Sequence, residues 1–120
     1  MSARVLIVDD AIFMRSVIRD ILERGGYTVC GEADTGLKAV DMYKQLEPDF
    51  VTMDIVMPEL DGIEAVRRII EHDPNARILM CSAMGQQSLV IEAIQAGAKD
   101  YVIKPFQASR VLAAVQRVLS

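Results

Sequence analysis

The sequence predicts an α/β domain, one open parallel sheet covered by helices on both faces, and three observations carry that prediction. Short β-rich runs alternate with longer segments of helical period, the pattern of stacked βα units. Three of those runs are almost continuously apolar, as strands become when helices cover both faces of a sheet. The chain has 120 residues, 52% of them hydrophobic. That suffices for one core and is too little for two, or for a closed barrel of about 250 residues.

Each element can be justified in turn. The first strand candidate is Arg4 to Val8, and Met14, Val17, Ile18 and Ile21 follow it at helical spacing. Gly25-Gly26 suits a left-handed stop for that helix. The second strand is Val29 to Ala33, followed by the stripe Val40, Tyr43 and Leu46, with Pro48 beyond its end. Phe50 to Met53 is the third strand. Asp61 with Glu64 then resembles a capping box, opening a helix striped by Ile63, Val66 and Ile70 that closes before Pro74. The fourth strand is Arg77 to Cys81, followed by Val90, Ala93 and Ile94, with Gly97 as a second left-handed stop. Tyr101 to Ile103 is the last strand, and Val111, Leu112, Val115 and Val118 stripe the last helix. The stripes read as core, not as cofactor boxes. Strands one, three and four, the most apolar, belong at the centre.

Composition excludes several functions. Against 17 acidic residues stand 13 basic ones, a formal net charge of -4, so no general pull toward nucleic acid or an anionic membrane is expected. Apolar runs such as Val5 to Val8 fall far short of the roughly 18 residues of a membrane span. The opening Met1-Ser2-Ala3-Arg4 leads straight into a strand without a secretory h-region. One domain, 1–120, in the cytoplasm is the expectation. Cys30 and Cys81 lie in apolar runs outside any CxxC pair and are expected to be buried, inert thiols. His72, beside Asp73-Pro74 at a helix end, reads as solvated or capping.

A doubly wound sheet with right-handed crossovers places its site at the carboxyl ends of its strands. That rule brings together Asp9-Asp10, Asp54, Ser82-Ala83 and Lys104-Pro105. Taken singly, most have bland readings. One of Asp9 and Asp10 could cap the next helix, Ser82 could satisfy a turn, and Lys104 could be solvated. Asp54 is harder to explain as structure, since an unpartnered acid at the end of a core strand is costly. Three converging carboxylates repel one another, and Lys104 with a divalent cation brings the formal sum to zero. An all-oxygen, incompletely caged set favours Mg²⁺ over Zn²⁺, and Mn²⁺ can substitute.

Two other classes share these features. The same fold can hold FMN at the sheet's carboxyl edge, but three acids there argue against a phosphate ligand without metal. A phosphatase with an aspartyl-phosphate intermediate would show a DxD motif after a strand and a cap insertion, and the sequence has neither.

Val5-Leu6-Ile7-Val8-Asp9-Asp10, Asp54-Ile55-Val56-Met57-Pro58 with Asp61-Gly62, Ser82-Ala83 and Lys104-Pro105-Phe106 together resemble the response-regulator receiver family. The resemblance spans essentially the whole chain and implies a flavodoxin-like (βα)5 fold with sheet order 2-1-3-4-5. It implies Asp54 as phosphoryl acceptor, with Asp10 and Asp54 as direct Mg²⁺ ligands and Asp9 acting mainly through metal-bound water. The Val56 backbone carbonyl completes the protein ligands, so valine where some relatives carry asparagine does not threaten the metal. Lys104 would pair with the phosphoryl group, Ser82 would move to hydrogen-bond it, and Tyr101 would turn inward, altering the α4-β5-α5 face. The bland reading of Tyr101 is a half-buried strand aromatic. Gly85-Gln86-Gln87 is the expected hinge.

Asp9 to Arg15 and Cys81 to Gln87 look especially like stand-alone chemotaxis receivers, which implies a CheA-type histidine kinase and the flagellar motor switch as partners. A phosphorelay shuttle, or a receiver cut from a longer regulator, shares the same site. No conventional substrate turnover is expected, only catalysis of the chain's own phosphorylation and dephosphorylation. Apolar Val56 and Met84 cannot hydrogen-bond a hydrolytic water, so slow decay is expected, with a role for a phosphatase of the CheC/CheX/FliY type. The protein is expected to act as a monomer.

Overall fold

The computed structural model describes residues 2–120; Met1, the first residue of the expected domain and of the opening considered for a signal, lies outside them. The elements are β1 (Arg4–Val8), α1 (Ile12–Arg24), β2 (Thr28–Ala33), α2 (Gly36–Leu46) and β3 (Phe50–Asp54), then α3 (Gly62–His72), β4 (Ile78–Ser82), α4 (Gln87–Ala96), β5 (Asp100–Ile103) and α5 (Ala108–Leu119). The strands form one parallel sheet in the order β2-β1-β3-β4-β5. The three apolar strands are central, as their composition requires.

Alternation along each strand divides the core in two. Leu6, Val8, Val51, Met53, Ile78 and Met80 face α2, α3 and α4, meeting Val40, Val66, Ile69 and Ala93. Val5, Ile7, Phe50, Leu79 and Cys81 face α1 and α5, meeting Ile18, Leu22, Val111 and Val115. Thr52 lies in β3 with its hydroxyl buried and without a hydrogen-bond partner, at a cost of roughly 1–3 kcal/mol.

Four details depart from the sequence reading. Cys81 is buried, but Cys30 is only half-buried, because β2 is an edge strand; its Sγ donates to the Val5 carbonyl at 3.3 Å. Burial raises the pKa of both thiols. Of the glycine pair, Gly25 is right-handed at φ -79, and Gly26 alone takes the positive φ, 93°. Ahead of Pro48 it is Glu47, at φ 47°, that turns left-handed to end α2. Asp61 caps α3 by accepting from the Glu64 N–H at 2.9 Å, whereas the Glu64 side chain pairs with Arg67 and Arg68 instead of closing the box. His72 is exposed at the end of α3, edge-on to Tyr43.

Candidate functional site

Every strand but β2 delivers a polar side chain to one end of the sheet. Directly after β1, the Asp9 N–H continues the ladder to the Ala33 carbonyl at 3.1 Å, and its Oδ1 accepts from the Ala11 N–H at 2.9 Å. This local turn starts α1, whose N-cap Ala11 offers no side-chain cap of its own. Asp9 is buried and Asp10 beside it is exposed. Asp54 is the last residue of β3 and Ser82 the last of β4, and both are buried. Lys104 follows β5; its N–H donates to the Ser82 carbonyl at 2.8 Å, and the Lys104–Pro105 bond that comes next is cis.

The Lys104 side chain spans the site. Its Nζ lies 2.8 Å from Asp9 Oδ2 and 3.3 Å from Asp54 Oδ1. Asp9, Asp10 and Asp54 each present a carboxylate oxygen, all within 4.8 Å of one another. Burial, followed by the Asp9 charge, pushes the Asp54 pKa up to about 6 against the opposing pull of Lys104. Burial works against the Lys104 ammonium, but its bond to Asp9 and the charges of Asp54 and Asp9 outweigh that and raise its pKa.

Glycine allows this packing. A Cβ on Gly62 would collide with the Asp54 carbonyl, so only glycine lets α3 begin so close to the end of β3. The loop between them holds Glu59 at φ 68°. After Ser82, the Ala83 N–H donates to Gln86 Oε1 at 2.8 Å, and Gly85 takes a φ of 89° with open space around it. Val56 and Met84, two residues after Asp54 and Ser82 respectively, are exposed, at 56% and 80%.

Tyr101 stands on the edge strand β5 with its side chain outward, 44% exposed. Its N–H donates to Asp100 Oδ1 at 2.8 Å, and Asp100 Oδ2 is held by Arg117 of α5 at 2.7 Å. A cleft of about 530 Å³ lies alongside, its walls including Met84, Tyr101, Ile103 and Arg110.

The sequence reading missed Arg15, which donates to the Asp9 carbonyl at 2.7 Å, and its partner Glu32 on β2. A charged residue on the inner side of an amphipathic helix was the available signal.

The donor set suits a hard divalent cation. Its side-chain donors are all carboxylate oxygens, it is open toward solvent at Asp10, and it sets three negative charges against one lysine.

An open parallel sheet with converging carboxylates and a lysine at its carboxyl edge is the arrangement of a phosphoryl-handling switch domain. The response regulator receiver domain model matches residues 5–116, and the chain belongs to that family of two-component phospho-switches. It is 60% identical to the chemotaxis protein CheY of Thermotoga maritima over 118 residues, 98% of each chain. It is also 60% identical to CheY of Bacillus subtilis, over the full length of both. A crystal structure of the CheX–CheY–BeF3–Mg²⁺ complex from Borrelia burgdorferi matches with a TM-score of 0.94 and 38% identity, covering 98% of this chain and 90% of that one. The observed strand order is the one for which CheY and flavodoxin are the standard examples. Receiver domains bind Mg²⁺ at an acidic pocket, and Asp9, Asp10 and Asp54 form such a group here.

Proposed function

We propose that this chain is a single receiver domain, 1–120, whose Asp54 accepts a phosphoryl group from the phosphohistidine of a CheA-type kinase. One observation carries the reading: the Lys104 ammonium bridges Asp9 and Asp54 within a three-carboxylate group. An Asp54 oxygen attacks the phosphorus in line, the P–N bond breaks, and its electron pair leaves with the imidazole. With its pKa near about 6, Asp54 is mostly ionised at neutral pH, and no general base is needed. Asp10, Asp54 and the Val56 carbonyl would hold Mg²⁺, or Mn²⁺, directly, and Asp9 through water. When bound, the ion supplies positive charge against the phosphoryl oxygens.

Lys104 then pairs with one phosphoryl oxygen, and the Ser82 hydroxyl moves to another. The vacated space admits the Tyr101 ring, and the α4-β5-α5 face changes as a population shift between two states. The relatives named CheY support a chemotaxis output; on this reading the target is the flagellar motor switch and the protein acts as a cytoplasmic monomer. The CheX–CheY complex supports a phosphatase of the CheC/CheX/FliY class.

Intact mass after incubation with acetyl phosphate, with and without Mg²⁺, tests this reading. One metal-dependent phosphoryl adduct on the parent and none on Asp54→Asn is the expected result; an adduct on both proteins, or on neither, sinks it. Decay of the adduct should be slow and faster in Val56→Asn/Met84→Glu, and equal decay would remove those side chains from the account.

A further inference from the structure

Arg15 lies one turn into α1 with its side chain only 14% exposed. Its Nη1 donates to the Asp9 main-chain carbonyl at 2.7 Å, and its Nε donates to Glu32 Oε1 at 3.0 Å. The second Glu32 oxygen is held by Arg19 Nε at 2.9 Å. Glu32 stands on β2 in register with Ile7 of β1, two residues before Asp9. A continuous polar link therefore runs from the edge strand to the peptide joining Asp9 and Asp10.

We infer that Arg15 is a positioning residue for the acidic site, its guanidinium fork clamped by Glu32 so as to fix the Asp9–Asp10 peptide. Holding that carbonyl sets the torsions on either side of it, and these determine where both carboxylates project relative to Asp54. This rests on the reading of those three acids as Mg²⁺ ligands. A partner that orients a ligand without touching the metal typically changes metal affinity by about 10–100-fold when removed.

The alternative is that Arg15 acts only as a charge, and it has the opposite sign. A guanidinium beside a cation site repels the cation, so neutralising it would tighten binding. Lysine separates the two further: it keeps the charge but lacks the planar fork that serves Glu32 and the Asp9 carbonyl together.

The test is calorimetric titration with Mg²⁺ alone, at fixed ionic strength, of the parent, Arg15→Lys, Arg15→Gln and Asp10→Asn. Metal-free thermal unfolding is recorded in parallel to confirm that each variant is folded. The expected result is weaker binding in both Arg15 variants, on the order of tenfold. The Mg²⁺ concentration for half-maximal phosphorylation by acetyl phosphate should rise by the same factor. Tighter binding by Arg15→Gln with Arg15→Lys unchanged would reduce Arg15 to a charge and overturn the inference, as would equal affinity in both variants and the parent. Should Arg15→Gln not fold, Arg15→Lys decides alone: weaker binding supports the inference and unchanged binding overturns it. A parent that binds no Mg²⁺ would overturn the metal reading as well. A parent that binds, an Asp10→Asn that does not, and unaltered Arg15 variants would overturn this inference only.

Discussion

At the scale of single residues, Asp54 sets chemistry against stability. Its carboxyl is buried beside Asp9, which pushes its pKa from 3.8 to about 6 even with Lys104 at 3.3 Å. An acid with a raised folded-state pKa binds its proton more readily folded than unfolded. Its contribution favours folding fully below the unfolded value and is lost as pH rises through about 6. A shift of roughly two units corresponds to about 3 kcal/mol, an order-of-magnitude figure. The metal-free Asp54→Asn variant, neutral at every pH, should therefore exceed the parent in stability by about 1–3 kcal/mol at pH 8. The advantage should shrink as pH falls through 6 and vanish only below the unfolded value of 3.8. Urea unfolding midpoints across that range measure it, and equal midpoints at pH 8 would mean that Lys104 already compensates the buried charge. The sequence showed the cost of Asp54 qualitatively, as an acid at the end of an apolar strand. It could not show how much of that cost Lys104 removes, because that depends on two distances.

At the scale of elements, the site is anchored more firmly than the sequence reading suggested. The apolar runs end at Met53 and Cys81, which by sequence alone puts Asp54 and Ser82 just beyond their strands. The ladder continues through both, pairing Asp54 with Cys81 and Ser82 with Ile103. Side chains fixed on strands hold position better than side chains on loops, which suits a switch that must sense one phosphoryl group. Helices and strand order were legible because periodicity and apolar content report burial directly. Edge effects were not: the partial exposure of Cys30 and the choice of Gly26 over Gly25 depend on which strands and helix ends find neighbours. On the output side, β5 and α5 are joined by the Asp100–Arg117 pair directly beside Tyr101, whose ring is half in solvent. If that ring transmits the switch, Tyr101→Ala should form the Asp54 adduct at the parent's rate. It should bind a motor-switch peptide about tenfold less tightly when phosphorylated, as loss of an interface anchor does. Equal peptide affinity would place the transmission elsewhere on the face.

At the scale of the whole molecule, the acidic site exists only because the chain is folded. Asp9 and Asp10 follow β1 while Asp54 ends β3, and the sheet brings their oxygens within 4.8 Å. The four motifs were legible because each stands at the carboxyl end of a strand. The link from Glu32 through Arg15 to Asp9 was legible only as a charged residue on the inner side of α1, since nothing in the spacing of residues 15 and 32 signals a contact between a helix and an edge strand. An unfolded chain cannot assemble the three carboxylates, so a cation that binds them binds the native state alone. Mass action then stabilises the fold, by about 2.7 kcal/mol at a hundred times the dissociation constant. For a domain of this size that corresponds to a rise of roughly 10 °C or more in the unfolding midpoint. The rise should follow the logarithm of the Mg²⁺ concentration above the dissociation constant, and it should be lost in Asp10→Asn. It should be larger at pH 7.5 than at pH 5, where Asp54 is mostly protonated and cannot act as a ligand. An equal rise in Asp10→Asn, or one reproduced by matched NaCl, would trace the effect to general screening of the acidic surface and not to the three-carboxylate site.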